Sequence, residues 1–220
     1  MLHDLIHTWF HWVTDWGYTG IVILMAMESS IFPVPSEVVM PPAGFLAAQG
    51  KLSFWGVILA GTFGSWLGSA ITYIISRVFG RPFVLRFGKY FFCPPEKIAR
   101  AERFLLRYEA GGIFFARLLP VVRHLISIPA GIVRMPFGKF SLMTTIGSFI
   151  WCGILAWYGK GVAERNPSLM ENPEEMIHAI KHESLWLVLG IAAICALYFL
   201  MLRLTAPKGD RAAGGGQAGA

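Results

Sequence analysis

Four charged residues stand inside stretches that are otherwise apolar: Glu28, Glu37, Arg117 and Arg123. At the centre of a lipid-facing helix each would cost at least ~2.5 kcal/mol, so they must face a wet cavity or one another. A guanidinium offers planar, bidentate donors to phosphate oxygens, which makes Arg117 and Arg123 candidate ligands for an anionic group. Glu28 and Glu37 would then hold those arginines when no substrate is bound, or carry protons. The plainer alternative is two ion pairs that tie segments together, although buried ion pairs are a poor source of stability. His124 lies beside Arg123 and titrates near neutrality, which suits a proton relay; a lone histidine is more often a hydrogen-bonded polar group. Arg117 and Arg123 are six apart, so on one continuous helix they would point about 240° away from each other. They converge only if the chain bends, and Pro120 sits midway, where it predicts a hairpin tip.

The elements that must hold these residues belong to a membrane. Of 220 residues, 55% are hydrophobic and 15% charged, against about 25% charged in soluble domains. Residues 52–76, 140–159 and 184–202 contain no formal charge, and each is close to the roughly 20 residues a spanning helix needs. They predict crossings at 53–79, 138–160 and 184–204. The apolar segment 17–50 is different: Glu28, Glu37, Pro33, Pro35, Pro41 and Pro42 interrupt it, and its uncharged pieces are too short to cross. It reads as a helix–break–helix hairpin that enters and leaves on one side, with irregular backbone covered by protein or a wet cavity. Segment 111–135 repeats the pattern around Arg117, Pro120, Arg123 and Pro129. The expected breaks are at Pro33, Pro35, Pro120, Pro129 and Gly131.

The two hairpins are related in sequence. Pro33 maps onto Pro120, and Pro42-Ala43-Gly44 onto Pro129-Ala130-Gly131, at an offset of 87; Gly50-Lys51-Leu52-Ser53 resembles Gly138-Lys139-Phe140-Ser141 at 88. One crossing separates them, so they must enter from opposite faces, an inverted repeat with interrupted helices that points to a transport site near the midplane. The expected fold is therefore an all-α polytopic membrane protein: a single membrane domain over 17–204, with two re-entrant hairpins, each followed by a transmembrane helix, and a last helix at 184–204.

Residues 1–16 carry an apolar face and three Trp, as an interfacial amphipathic helix would. His3, His7 and His11 at i, i+4 and i+8 have metal-ligand spacing but read as its polar face. The net charge is +6, and its distribution sets an orientation rather than suggesting nucleic acid. Eight Lys and Arg lie between Arg77 and Arg107 against Glu96 and Glu102, whereas 160–183 is acidic. Basic loops stay cytoplasmic, and they attract anionic head groups. Cys93, Cys152 and Cys195 form no framework, and the start of the chain lacks the marks of a cleaved signal. Residues 205–220 read as a disordered tail. No nucleophile–base pairing, metal-ligand cluster or phosphate loop stands out, so neither an enzyme, a metal nor a cofactor is expected.

The run Glu28-Ser-Ser-Ile-Phe-Pro33-Val-Pro35-Ser-Glu37 resembles the E-x4-P-x-P-x-E signature of the DedA family. Phe115-Ala-Arg117-Leu-Leu-Pro120-Val-Val-Arg123, with Pro129-Ala130-Gly131 and Met135, is similar to its second motif, and Trp151 and Gly153 fit the helix that follows. The resemblance covers roughly residues 15–160. It implies a bacterial inner-membrane protein with opposed re-entrant hairpins, working roles for Glu28, Glu37, Arg117 and Arg123, and translocation of an anionic lipid such as undecaprenyl phosphate, in some members driven by proton-motive force. A proton-coupled transporter or antiporter of small solutes or ions, supporting membrane homeostasis, is the alternative. The C-terminus is expected on the cytoplasmic side.

Overall fold

The computed structural model describes residues 2–30, 35–87, 105, 111–119, 123 and 125–165. Among these the chain is helical, without a strand. Helix α1 is Leu2–Trp16, α2 Tyr18–Glu28, α3 Ser36–Ala48 and α4 Phe54–Phe87. Residues 111–118 form α5, Ser127–Ile132 form α6 and Phe137–Arg165 form α7. The expected crossing at 184–204, the tail 205–220, the proline positions 33 and 120, and His124 lie outside the described residues.

Two helices are long and apolar enough to cross a bilayer: Phe54–Gly80 of α4, with 27 residues, and α7, with 29. At 1.5 Å per residue both exceed a hydrocarbon core of about 30 Å. They run antiparallel. Lys160, near the end of α7, lies over the Phe54 ring at the start of α4. Trp66 Nε1 donates to Ser141 Oγ, and Tyr73 stacks on Phe140. Their outward faces expose Trp55, Leu59, Phe63 and Val78 on α4 and Leu142 and Trp157 on α7, large apolar side chains suited to lipid contact. At Gly80 (φ 68, ψ −170) the α4 backbone leaves helical geometry, in a region open mainly to glycine.

The short helices clasp this frame through glycines. A Cβ at Gly64 or Gly68 of α4 would overlap the Val22 and Ala26 carbonyls of α2. Gly44 of α3 meets the Ala156 carbonyl of α7, and Gly159 of α7 meets the Pro41 carbonyl of α3. Gly131 of α6 would bring a Cβ to 2.5 Å from the Tyr73 carbonyl of α4, and Gly147 of α7 would bring one to 2.7 Å from Cβ of Arg117 in α5. Thus α2 and α6 pack on α4, while α3 and α5 pack on α7. The main core gathers Ile21, Leu24 and Met25 of α2, Val39 and Met40 of α3, and Leu155 of α7. Helix α1 joins it through Val13, with Trp9 and Trp12 partly buried.

Several prolines and glycines differ from the sequence expectation. Pro41 and Pro42 lie inside α3 rather than breaking it. Each removes one N–H from the helical ladder, but residues 39–46 are all buried, and packing on α7 holds the helix. Pro129 and Gly131, expected as breaks, lie within α6. Pro129 is its third residue, in the first turn where the missing N–H has no helical partner in any case; Gly131 is the close-approach point on α4. Pro35 does precede a helix, as the N-cap of α3. The match of Gly50–Ser53 to Gly138–Ser141 is not structural, because Gly50 sits in the turn before α4 whereas Gly138 is already inside α7.

Candidate functional site

Glu28 is the last residue of α2 and Ser36 the first of α3. The Glu28 side chain bridges them, because Oε1 accepts from the Ser36 backbone N–H at 3.2 Å. A carboxylate at a helix N-terminus satisfies a free donor and complements the helix dipole. Its other oxygen, Oε2, accepts from Arg123 Nη2 at 2.9 Å, with both side chains at most 1% exposed. Arg123 Nη1 donates to Ser36 Oγ at 3.3 Å, and Trp151 Nε1 donates to the same oxygen at 3.1 Å. The guanidinium lies over the Trp151 ring, 5.2 Å from its centroid, a cation–π contact.

Arg117, at the end of α5, is equally buried. Its Nη2 donates to Ser127 Oγ at 2.8 Å, and Ser127 opens α6. Each arginine is therefore anchored on the first residue of a short helix, Ser36 for Arg123 and Ser127 for Arg117. Arg117 also lies within electrostatic range of both Arg123 and Glu28. Arg123 N–H bonds back to the Leu119 carbonyl, while the tip expected at position 120 lies outside the described residues. Glu37 follows Ser36 and is half-buried in the first turn of α3.

The donors outnumber their partners. Among the described residues, Arg117 Nε and Nη1 and Arg123 Nε are buried without a hydrogen-bond partner. Among the described residues, two buried guanidiniums face one buried carboxylate, Glu28, and an uncompensated buried charge costs several kcal/mol. An anion with several oxygens would relieve both deficits. Ser36, Ser127 and Gly147 belong to this site, although nothing in their residue types sets them apart in sequence. Trp151 was legible only as part of a motif.

A model of the VTT domain matches residues 34–161, which spans α3 through most of α7 and includes both arginines. The chain belongs to the VTT domain family. This is the DedA family that its motifs resemble, and the chain is a membrane protein. A Bacillus subtilis (strain 168) protein named undecaprenyl phosphate transporter A is 36% identical over 203 residues, which cover 92% of this chain and 97% of that protein. The Staphylococcus aureus (strain NCTC 8325 / PS 47) protein of the same name is 31% identical, covering 72% of this VTT chain and 80% of its own length. A Lactococcus lactis subsp. cremoris (strain MG1363) protein named alkaline phosphatase-like protein is 32% identical, covering 89% and 92%. No solved structure matches this VTT-domain chain.

Proposed function

We propose that this chain moves an anionic lipid across the cytoplasmic membrane, with the phosphate of the head group passing Arg117 and Arg123 while the tails stay in lipid. The single observation that carries this is the pair of buried guanidiniums, which among the described residues have N–H groups without partners and Glu28 as the one buried carboxylate opposite them. Undecaprenyl phosphate is the favoured lipid, since two relatives with extensive coverage are named as its transporters. The same names favour a transporter over an enzyme.

In this reading 17–50 and 111–135 are re-entrant hairpins of an inverted repeat inside one membrane domain, 17–204. The exchange of partners supports it: the first hairpin's helices pack on α4 and then α7, the second hairpin's on α7 and then α4. The basic 77–107 segment and the C-terminus then face the cytoplasm. Phosphate displaces the Glu28 carboxylate from Arg123, and protons taken up on Glu28 and Glu37 couple transport to the proton gradient.

The test is binding and head-group-resolved flipping of lipid phosphate in liposomes by Arg117→Lys and Arg123→Lys, with folding checked separately. Both variants should lose binding, because an ammonium cannot reproduce the fork of donors. Wild-type binding by both would reduce these residues to structural ion-pair partners.

A further inference from the structure

We propose that Thr144 and Ser148 of α7 form the neutral half of this anion site, donating their hydroxyls to the terminal oxygens of a phosphate monoester. The inference rests on the reading of Arg117 and Arg123 as phosphate ligands and adds two residues that neither the motifs nor the ion pair identify.

Buried hydroxyls in a helix ordinarily return to the carbonyl one turn back. Three on α4 do so: Thr62 to Ile58 at 2.7 Å, Ser69 to Ser65 at 2.5 Å and Thr72 to Gly68 at 3.0 Å. Thr144 and Ser148 do not. They are 0% and 1% exposed, and neither side-chain oxygen has a partner among the described residues. Leaving a buried hydroxyl unsatisfied is costly, and Ser29 and Ser65 share that condition. Position distinguishes the α7 pair.

At 100° per residue, 144, 147, 148 and 151 fall within about 100° of one another around α7. The Arg117 stem crosses this face at Gly147, where a Cβ would meet its Cβ at 2.7 Å and its Cγ at 3.3 Å. One turn further on, the Arg123 guanidinium covers Trp151. Thr144 and Ser148 therefore bracket the place where Arg117 crosses, and Ser148 lies between the footholds of the two arginines. Their hydroxyls, like Arg117 Nε and Nη1 and Arg123 Nε, are buried donors without a partner among the described residues. A phosphate monoester presents three terminal oxygens to such a set and a diester only two, so hydroxyl donors added to the guanidiniums favour the monoester.

The experiment uses the full chain in nanodiscs of neutral lipid, titrated with fluorescent phosphatidic acid as the monoester and phosphatidylglycerol as the diester. Thr144→Val keeps the shape of the side chain, and Ser148→Ala removes one atom. The double variant should bind phosphatidic acid about tenfold more weakly and phosphatidylglycerol within twofold of wild type. Its thermal midpoint in lipid-free detergent should be unchanged or higher, because two unsatisfied buried hydroxyls are gone; a purely structural role would lower it. Unchanged preference for the monoester, with Arg117→Lys still impaired, overturns the hydroxyl proposal alone. Failure of the wild type to bind either phosphate lipid overturns the arginine reading and this one with it.

Discussion

Arg123 Nη1 donates to Ser36 Oγ across 87 positions of chain, at 3.3 Å. The same offset carries Pro33 onto Pro120 and Pro42-Ala43-Gly44 onto Pro129-Ala130-Gly131. In the proposed inverted repeat Ser36 and Arg123 are thus equivalent residues, and their hydrogen bond straddles the pseudo-two-fold axis. The repeats differ at that point: one supplies a neutral hydroxyl, the other a cation. Both guanidiniums come from the second half and the carboxylate that pairs with one of them from the first. An anion between the two segments would meet both guanidiniums from the second, and Glu28, with Ser36 at the start of α3, from the first.

Glu28→Gln should destabilise the ligand-free protein. The substitution keeps volume and leaves an oxygen for the Ser36 N–H, but it strands the Arg123 guanidinium at 1% exposure. Breaking a buried pair by removing one partner costs about 3–5 kcal/mol. Thermal unfolding in detergent should show a large loss in the variant, and added phosphate lipid should restore more stability to it than to wild type. Equal stability of variant and wild type without ligand would mean that the pair contributes nothing to holding the break between α2 and α3.

The glycines of α7 should divide by what they touch. At Gly159 a Cβ would overlap the Pro41 carbonyl, which cannot move without shifting α3. Among the described residues a Cβ at Gly161 meets nothing within 4 Å, and one at Gly153 only Ile58 Cδ1 at 4.0 Å. Gly159→Ala should lower the yield of folded protein and its thermal midpoint sharply. Gly153→Ala and Gly161→Ala should match wild type or gain up to ~1 kcal/mol from helix propensity. Equal tolerance at all three would show that α3 and α7 do not approach this closely.

The two long helices and the charged positions in apolar stretches were legible in the sequence because both follow from the cost of burying polarity in lipid. Phe54–Gly80 and Phe137–Arg165 fall within a few residues of the uncharged runs. Glu28, Arg117 and Arg123 converge, as the cost of isolated charges in apolar stretches leads one to expect. The prolines misled because a proline breaks a helix only when nothing else holds it. In α3, burial along residues 39–46 outweighs two missing donors. Ser36, Ser127 and Gly147 were invisible because serine and glycine are common in membrane helices, and only the approach of another helix gives each its role.

Cysteines introduced at the ends of the two hairpins should be labelled from opposite faces. Lys51 follows α3 and Arg134 follows α6, and both are exposed. Gly131, just before Arg134, lies against Tyr73 and Arg77 near the far end of the α4 span, whereas Lys51 precedes its start. With the basic 77–107 segment cytoplasmic, Lys51→Cys should react with an impermeant thiol reagent in intact cells, and Arg134→Cys only after permeabilisation. The background should lack Cys93, Cys152 and Cys195. Labelling of both from one side would sink the inverted topology.

The turns that close α3 and α6 allow a paired test of strain. Both are Schellman-type caps: Lys51 N donates to the Leu46 carbonyl and Gly50 N to Ala47, and Met135 N donates to Ala130 and Arg134 N to Gly131. The residue that turns left-handed is Gly50 at φ 72 in the first and Arg134 at φ 52 in the second. Glycine adopts that conformation without steric cost, whereas a residue with a Cβ gives up roughly 1–2 kcal/mol there. Arg134→Gly should therefore stabilise the protein by up to ~1 kcal/mol, the gain being reduced by the extra freedom glycine lends the unfolded chain. Gly50→Ala should destabilise it by a similar amount. Since Arg134 is exposed, packing does not obscure the comparison. Chemical denaturation in mixed micelles reads both signs. A loss of stability in Arg134→Gly would mean that the arginine side chain makes a contact worth more than the strain it imposes.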